Sequence, residues 1–551
     1  MAHVDAPITT ITTPSEAHQG VHLVVLHHGL WGNKGHVKFI AQQFKKRFGN
    51  RILVYRAESN ESSFTYDGID ICGQRAVEEI KKVIQVIEDG GDISELRGQK
   101  NKKKKKSKDC KKNTISSTTS SSNSTPNQSS FSSRNNSHED VSATLSNNAP
   151  KKVTQFSYIG YSLGGLIGRF LLGLLEMEKF FDPVDQGGRG IEPTYFITMA
   201  TPHLGIRQPS ETTWSKVFNF LSSRMLSRTG EQMQLVDDYV DRKPLLLVMS
   251  EPDSIFVQAL SRFKRRAIYC NIKNDRSVPF WTASFSDADP FSELEAMEIQ
   301  YNTGYSSLIE SFEHHDIDTL ARLKQEREES LKTISFTKRT SQRIASVPWK
   351  KYALFGILGP FLIPLWIAFA TTTISYQGMN SRKRTKNMVL ASKVLQRIRQ
   401  RSSTTKLDRY RDDDDNSHNE ERDYTHEEEE TTVANAADVQ DSKEEHVVVT
   451  VVKGSTSSSS SSTSSSGDES STVVSYSFPD LKSVRPLPLL PVQVEISRNL
   501  NKVEWKKNIV HIEGWNAHAS IVVREKRFMH DGGAAAVQHA VDMFKEDGED
   551  E

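Results

Sequence analysis

Phe156-Ser157-Tyr158-Ile159-Gly160-Tyr161-Ser162-Leu163-Gly164-Gly165-Leu166-Ile167-Gly168 runs a short apolar strand into G-x-S-x-G and then into an apolar helical stretch. That is the layout of a nucleophile elbow, in which a serine sits on a sharp strand-to-helix turn. The bend leaves no room for side chains two positions either side of the serine, and Gly160 and Gly164 supply that room. The turn would lift the Ser162 hydroxyl above a sheet and aim the N-terminus of the following helix at the reacting atom, where backbone dipoles favour an oxyanion. Taken alone, G-x-S-x-G is also compatible with a glycine-rich turn that happens to hold a serine.

Working outward, Val21-His22-Leu23-Val24-Val25-Leu26 reads as a buried strand and ends in His27-His28-Gly29-Leu30-Trp31-Gly32. A hydrolase of this layout needs a second oxyanion donor from the loop after an early strand. The N–H of Leu30 is the candidate there, beside the N–H of Leu163 next to the serine. The alternative is a strand-ending turn with solvent-facing histidines. A serine nucleophile also needs a base, and the base an orienting acid. In this fold the chain order is serine, acid, histidine. Arg266 to Ile272 looks like a strand and runs into Lys273-Asn274-Asp275, so Asp275 sits where a late strand ends. An Asx-type turn is the other reading of Asp275, and Asp253 is the rival acid. For the base, His203 precedes Asp275 and breaks the order, and His314 and His315 lie on what reads as a charged helical stretch. His518 follows the strand Asn508 to Ile512, on the loop Gly514-Trp515-Asn516-Ala517-His518-Ala519.

Five segments together resemble one family: His28-Gly29-Leu30-Trp31-Gly32, Gly160-Tyr161-Ser162-Leu163-Gly164-Gly165, Thr201-Pro202-His203-Leu204-Gly205, Asn274 to Phe280, and Ala517-His518-Ala519. The chain is similar to the fungal lipase-like serine esterases, including a branch of lipid-droplet phospholipases, over about residues 20–98, 151–400 and 485–545. The resemblance implies an α/β-hydrolase fold and ester hydrolysis on lipids, with Ser162, Asp275 and His518 at the triad positions. A glycerophospholipid is the first substrate expected and an acylglycerol the second. The chain departs from the family pattern by carrying a long polar insert before the elbow and another before His518.

The 551 residues carry a net charge of +1, so bulk electrostatics names no partner, and no nucleic-acid partner is expected. Three scattered cysteines make no disulfide framework and fit a reducing compartment. No secretory signal is visible at the N-terminus, and no metal-ligand spacing or cofactor motif is present, nor does the triad chemistry require one. Strands near Leu23, Ile52 to Tyr55, Tyr158, Tyr195 to Met199 and Ile268 alternate with helical segments such as Gly68 to Glu88, which predicts a mostly parallel sheet covered on both faces. The hydrolase domain is expected in three parts, 20–98, 151–345 and 478–545, with tails at 1–19 and 546–551. Between the parts, 99–150 is rich in lysine and serine, and 401–477 holds acidic blocks and a serine tract. Both have too little apolar surface to offset ordering entropy and read as disordered. The run Lys102 to Lys106 reads as a solvated loop, with anionic-lipid binding or a nuclear signal as alternatives. The apolar helix pattern between Gln208 and Arg242 suggests a lid over an acyl site, or an ordinary amphipathic helix.

Residues 346–400 hold an uncharged run from Tyr352 to Tyr376 flanked by Lys350 and Lys351 on one side and Arg382, Lys383 and Arg384 on the other. As one straight helix it would reach roughly 35 Å, against about 30 Å for a bilayer core. Gly356, Gly359, Pro360 and Pro364 favour a break, and cations on both flanks favour the same, cytosolic, side. Ser162 and Asp275 precede the run and His518 follows it, so a single crossing would separate nucleophile from base. The expectation is a hairpin or in-plane segment at a lipid droplet or the cytosolic face of a membrane; a buried core helix is the alternative. The functional expectation is a serine lipid esterase working there through a Ser-His-Asp triad. An acyltransferase or thioesterase using the same triad, and a non-catalytic membrane adaptor, are the competing classes.

Overall fold

The computed structural model describes residues 20–93, 150–208, 213–225, 227–314, 371–385 and 487–545, isolated positions 319, 322, 325, 365 and 368, and the three-residue strands Val448–Thr450 and Ser475–Ser477. The strands are β1 (Val21–His27), β2 (Ile52–Arg56), β3 (Val153–Tyr161), β4 (Glu192–Met199), β5 (Arg265–Asn271), β6 (Met297–Tyr301), β7 (Ile309–His314), β8 (Val448–Thr450), β9 (Ser475–Ser477) and β10 (Lys506–Val510). Six of them form one sheet in the order β10-β5-β4-β3-β1-β2. Every neighbouring pair in it is parallel.

The strands are aliphatic nearly throughout, as expected where both faces are covered. Alternation along β1 decides which side chain goes where: Leu23 and Val25 enter one core, Val24 and Leu26 the other. The first core is closed by α2 (Ile69–Glu88), α3 (Leu163–Met177), α6 (Ile255–Ser261) and α8 (Pro491–Asn501). The opposite core is closed by α1 (Lys38–Phe48) and α10 (Asp531–Asp542). Helix α3, directly after the elbow, is buried at every position from Leu163 to Leu175. Such a helix cannot sit on a surface; it must be the central one. Between them in sequence lie α4 (Thr213–Met225), α5 (Ser227–Met233), α7 over 371–385 and the one-turn α9 (Ala517–Ser520).

The expected α/β architecture with a mostly parallel sheet is present. Strand β10 enters the sheet edge beside β5 although most of the insert region separates them in sequence, and it pairs from Lys506 against Ala267 to Val510 against Asn271. Two expectations need correction. Residues 309–314 are strand, not helix: β6 and β7 form an antiparallel hairpin with a register shift between Gln300 and Tyr301. Within 401–477, β8 pairs with β9, where β-branched residues such as Val448 and Val449 favour an extended chain despite the polar surroundings. Among the described residues no helix is long and apolar enough to cross a membrane. Most of the run from Tyr352 to Tyr376 lies outside them, as do the tails and nearly all of both inserts.

Candidate active site

Parallel strands end together, and the loops beyond their C-terminal ends form one rim. Ser162 follows β3 on this rim, with φ 55° and ψ −128°. For a serine this is a left-handed, strained conformation, held here by its surroundings. Its N–H donates to the Met199 carbonyl at 2.9 Å, and its own carbonyl accepts from Thr201 Oγ1 at 2.9 Å. The glycines around it are there for space. A Cβ at Gly160 would stand 2.5 Å from the Gly165 backbone, and one at Gly164 would stand 2.5 Å from the His27 carbonyl oxygen. The loop after β1 therefore lies directly on the elbow.

That loop carries Leu30. A Cβ at Gly29 would lie 2.6 Å from Ser162 Cβ and 3.0 Å from Ser162 Oγ. The turn closes through the Gly32 N–H donating to Gly29 O at 3.0 Å. Leu30 follows Gly29, whose backbone packs on Ser162; Leu163 is the first residue of α3, where an N–H has no acceptor within the helix. The histidines of the loop are not solvent-facing. His27 and His28 are both fully buried. Burial pushes the His27 pKa down to about 3, helped by its neighbour His28, and lowers that of His28 as well. Both rings are neutral and structural. The His27 ring nitrogens meet the His28 carbonyl at 2.9 Å and the Asn60 amide at 3.2 Å.

Asp275 stands just beyond β5, and its two carboxylate oxygens face different partners. Oδ1 accepts the N–H groups of Ser277 and Val278 at 3.0 and 2.8 Å, which is an Asx-type turn. Oδ2 lies 2.8 Å from His518 Nδ1. His518 Nε2 in turn lies 3.1 Å from Ser162 Oγ. Serine and aspartate are 8% exposed each, so the relay is nearly closed to water at both ends. His518 lies in α9 rather than in an open loop, and Asn516 caps that helical turn by accepting the Ala519 N–H at 3.1 Å. The other candidates lie elsewhere. Asp253 is exposed at the turn before α6. His203 is fully buried, 3.0 Å from Thr198 Oγ1, and burial with nearby Arg169 holds its pKa well below the usual value. The described residues contain no cluster suited to a metal ion.

Sequence reading missed Tyr161. Its hydroxyl donates to the backbone carbonyl of His518 at 2.8 Å, and the two rings lie 5.1 Å apart. The residue between Gly160 and Ser162 was legible as part of the elbow, but spacing alone does not say where its side chain reaches. Thr65, which accepts the Trp31 N–H at 3.1 Å and so fixes the chain next to Leu30, carried no sequence signal at all. The helices α4 and α5 occupy the stretch read as a lid or an amphipathic helix. Helix α5 is fastened to the start of α2: Gln232 accepts the Ile69 N–H at 2.6 Å, and Arg228 pairs with the buried Asp70 at 2.6 Å.

The model of a family described as putative serine esterase (DUF676) matches residues 17–96 and 91–288, which include Ser162 and Asp275. Among curated proteins, the chain is 34% identical over 161 residues to the putative lipase ROG1 of Saccharomyces cerevisiae, a match covering 29% of this chain and 22% of that protein. It is 37% identical over 144 residues to the putative lipase YDL109C of the same yeast, covering 26% and 20%. It is 30% identical over 138 residues to the putative lipase C4A8.10 of Schizosaccharomyces pombe, covering 24% and 16%. The matches thus span no more than about a fifth of the relatives' own length. With the elbow, its parallel sheet and these matches in hand, the chain belongs to the fungal lipase-like family of serine esterases.

Proposed function

We propose that this chain is a serine carboxylic-ester hydrolase of the α/β-hydrolase fold, acting on acyl esters of lipids at a membrane or lipid-droplet surface. Ser162 is the nucleophile, His518 the general base and Asp275 the orienting acid. The observation that carries this reading is the continuous relay from Ser162 Oγ through the His518 ring to Asp275 Oδ2, at 3.1 and 2.8 Å. Residues far apart in sequence meet there at a strained serine.

The chemistry follows from the geometry. Asp275 accepts from Nδ1–H and so keeps the lone pair of His518 on Nε2, facing the serine. As Ser162 Oγ attacks the acyl carbon, Nε2 takes its proton, and Asp275 stabilises the imidazolium that forms. The carbonyl oxygen becomes an oxyanion against the N–H groups of Leu30 and Leu163, with the N-terminus of the buried helix α3 behind them. His518 then returns the proton to the leaving alkoxide, and the alcohol departs. Water enters, gives its proton to Nε2, and its oxygen attacks the acyl-serine; the fatty acid leaves and Ser162 recovers its proton. No step needs a metal or organic cofactor. The lipase-like names of the matched relatives support a lipid acyl ester as substrate, a glycerophospholipid first and an acylglycerol second.

Purified full-length protein, with Ser162→Ala and His518→Ala controls, should release fatty acid from members of a panel of phospholipids and acylglycerols. Release that is equal in wild type and Ser162→Ala would refute the assignment. Acyl transfer to an added alcohol in preference to water would redirect it to an acyltransferase.

A further inference from the structure

The helix α7 over 371–385 presents two different faces. Ile374 packs against the main core, and Gly378 and Ser381 are buried one turn apart, so the face turned to the body is built from small and apolar residues at helical spacing. Its last turn is tied down electrostatically. Arg384 Nη2 lies 2.7 Å from Asp67 Oδ1 and 3.1 Å from the Ser63 carbonyl oxygen, and its guanidinium stacks on Phe64 at 5.0 Å. Asp67 is fully buried and also receives Arg75, so its charge is matched by two guanidiniums. Arg382 adds a contact to Glu231 of α5 at 3.2 Å.

The opposite face carries Thr372, Ser375, Tyr376, Met379, Arg382 and Lys383, all exposed. Tyr376 is 65% exposed and Met379 57%, and beside the docked turn Phe64 is 41% exposed. Phe64 lies in the 3₁₀ turn Ser62–Tyr66, whose Thr65 holds the Trp31 N–H; Trp31 itself, one residue from Leu30, is 49% exposed. Exposed aromatic and apolar side chains thus stand on the outer face of α7 (Tyr376, Met379), on the turn against which it docks (Phe64, beside the Arg75 and Arg384 guanidiniums) and on the loop bordering Ser162 (Trp31), with the exposed cation Lys383 on the helix beside them. In sequence, α7 takes over the last residues of an uncharged run that starts at Tyr352. Aromatic and apolar side chains bordered by cations match a lipid interface: oil beneath, anionic head groups above.

We propose that the outer face of α7, continued by Phe64 and Trp31, is the surface on which this protein sits on a lipid layer, and that Arg384 is the anchor that holds this face in line with the pocket of Ser162. The proposal rests on the lipid-esterase reading and adds to it the orientation of the enzyme on its substrate surface. Hydrolysis of a lipid ester would require the docked helix, whereas hydrolysis of a small soluble ester would depend on it far less.

The test uses full-length protein and vesicles of phosphatidylcholine and phosphatidylserine carrying a fluorogenic long-chain acyl ester, with p-nitrophenyl butyrate as the soluble substrate. In Tyr376→Asp/Met379→Asp, vesicle flotation and the ratio of vesicle to soluble rate should each fall about tenfold, since two carboxylates replace the lipid-facing side chains. In Arg384→Gln, flotation should persist while that ratio falls by about tenfold, and Arg384→Lys, which keeps the charge but not the planar fork, should recover part of it. Unchanged flotation in the first variant, or vesicle and soluble rates falling in step in either, would overturn the proposal. If wild type floats and the first variant does not, yet neither hydrolyses any ester, the docking surface stands and the esterase reading falls.

Discussion

Adding one methyl group at Gly29 should disable the site without unfolding the chain. The backbone at Gly29 is outside the left-handed region, so alanine is permitted there on conformational grounds. The obstacle is space. The new Cβ would stand 2.6 Å from Ser162 Cβ, 3.0 Å from Ser162 Oγ and 3.2 Å from the Tyr161 carbonyl oxygen. Carbon atoms rest at about 3.5–4.0 Å, so the loop or the elbow must withdraw by about 1 Å. Neither the loop nor the elbow is free to do so elsewhere. The loop is held by Thr65 through the Trp31 N–H, and the elbow by Met199 and Thr201 through the Ser162 backbone. The withdrawal therefore opens the gap between Ser162 and the Leu30 N–H. Loss of one oxyanion donor lowers kcat by about 10²–10³, or about 2.7–4 kcal/mol of transition-state stabilisation. The assay is steady-state hydrolysis of p-nitrophenyl butyrate by wild type and Gly29→Ala, with thermal unfolding of both. The expected outcome is a loss in kcat of that size, KM changed by less than about threefold, and a folded variant. A kcat within about threefold of wild type would refute both the packing of this loop on the elbow and the role given to Leu30.

Three further perturbations separate the parts of the site. Asp275→Asn should leave the fold intact but lower kcat by about 10⁴, because an amide can donate to Nδ1 and turn the lone pair of His518 away from the serine; steady-state kinetics beside a circular-dichroism spectrum checks it. Tyr161→Phe removes the donor to the His518 carbonyl while keeping the ring beside the imidazole, and should lower kcat by about fivefold at nearly constant KM, the carbonyl losing a bond worth about 1 kcal/mol. Acid should weaken the fold through His27. Its folded pKa, about 3, is below the unfolded value of 6.5, so the unfolded chain binds the extra proton; its stabilising share is fully present above pH 6.5 and is lost as pH falls towards 3. At pH 5 the loss from this one ring is about 2 kcal/mol relative to pH 7. Urea unfolding of wild type and His27→Gln at the two pH values reads it, and an identical pH dependence in both would count against the assignment.

Local pattern made the site largely legible, because its parts are where the chain changes habit. Each of Gly29, Ser162, Asp275 and His518 follows a short aliphatic strand, and a parallel sheet brings all such strand ends to one edge. Even His518, beyond a long polar insert, could be selected by this logic, since β10 joins the sheet edge next to β5 regardless of what separates them. Illegible features were those set by three-dimensional approach. Tyr161 could not be seen to reach the His518 carbonyl, nor Arg384 to reach Asp67, because nothing in one segment announces its distant partner. The β6–β7 hairpin was hidden for a different reason: charged residues such as Glu298, Glu310 and Glu313, and the register shift between Gln300 and Tyr301, break the two-residue period by which a strand is read. The alternative of solvent-facing histidines after β1 fails because the loop packs against the elbow, which buries His27 and His28.

The central claim is that Ser162 is the activated nucleophile. Intact-protein and peptide mass spectrometry after treatment with a fluorophosphonate tests it most directly. One phosphonyl adduct on the Ser162 peptide, absent in Ser162→Ala and strongly slowed in His518→Ala, is the result this account requires. A wild-type protein that stays unmodified under conditions that label other serine hydrolases, or an adduct that survives Ser162→Ala, would contradict it.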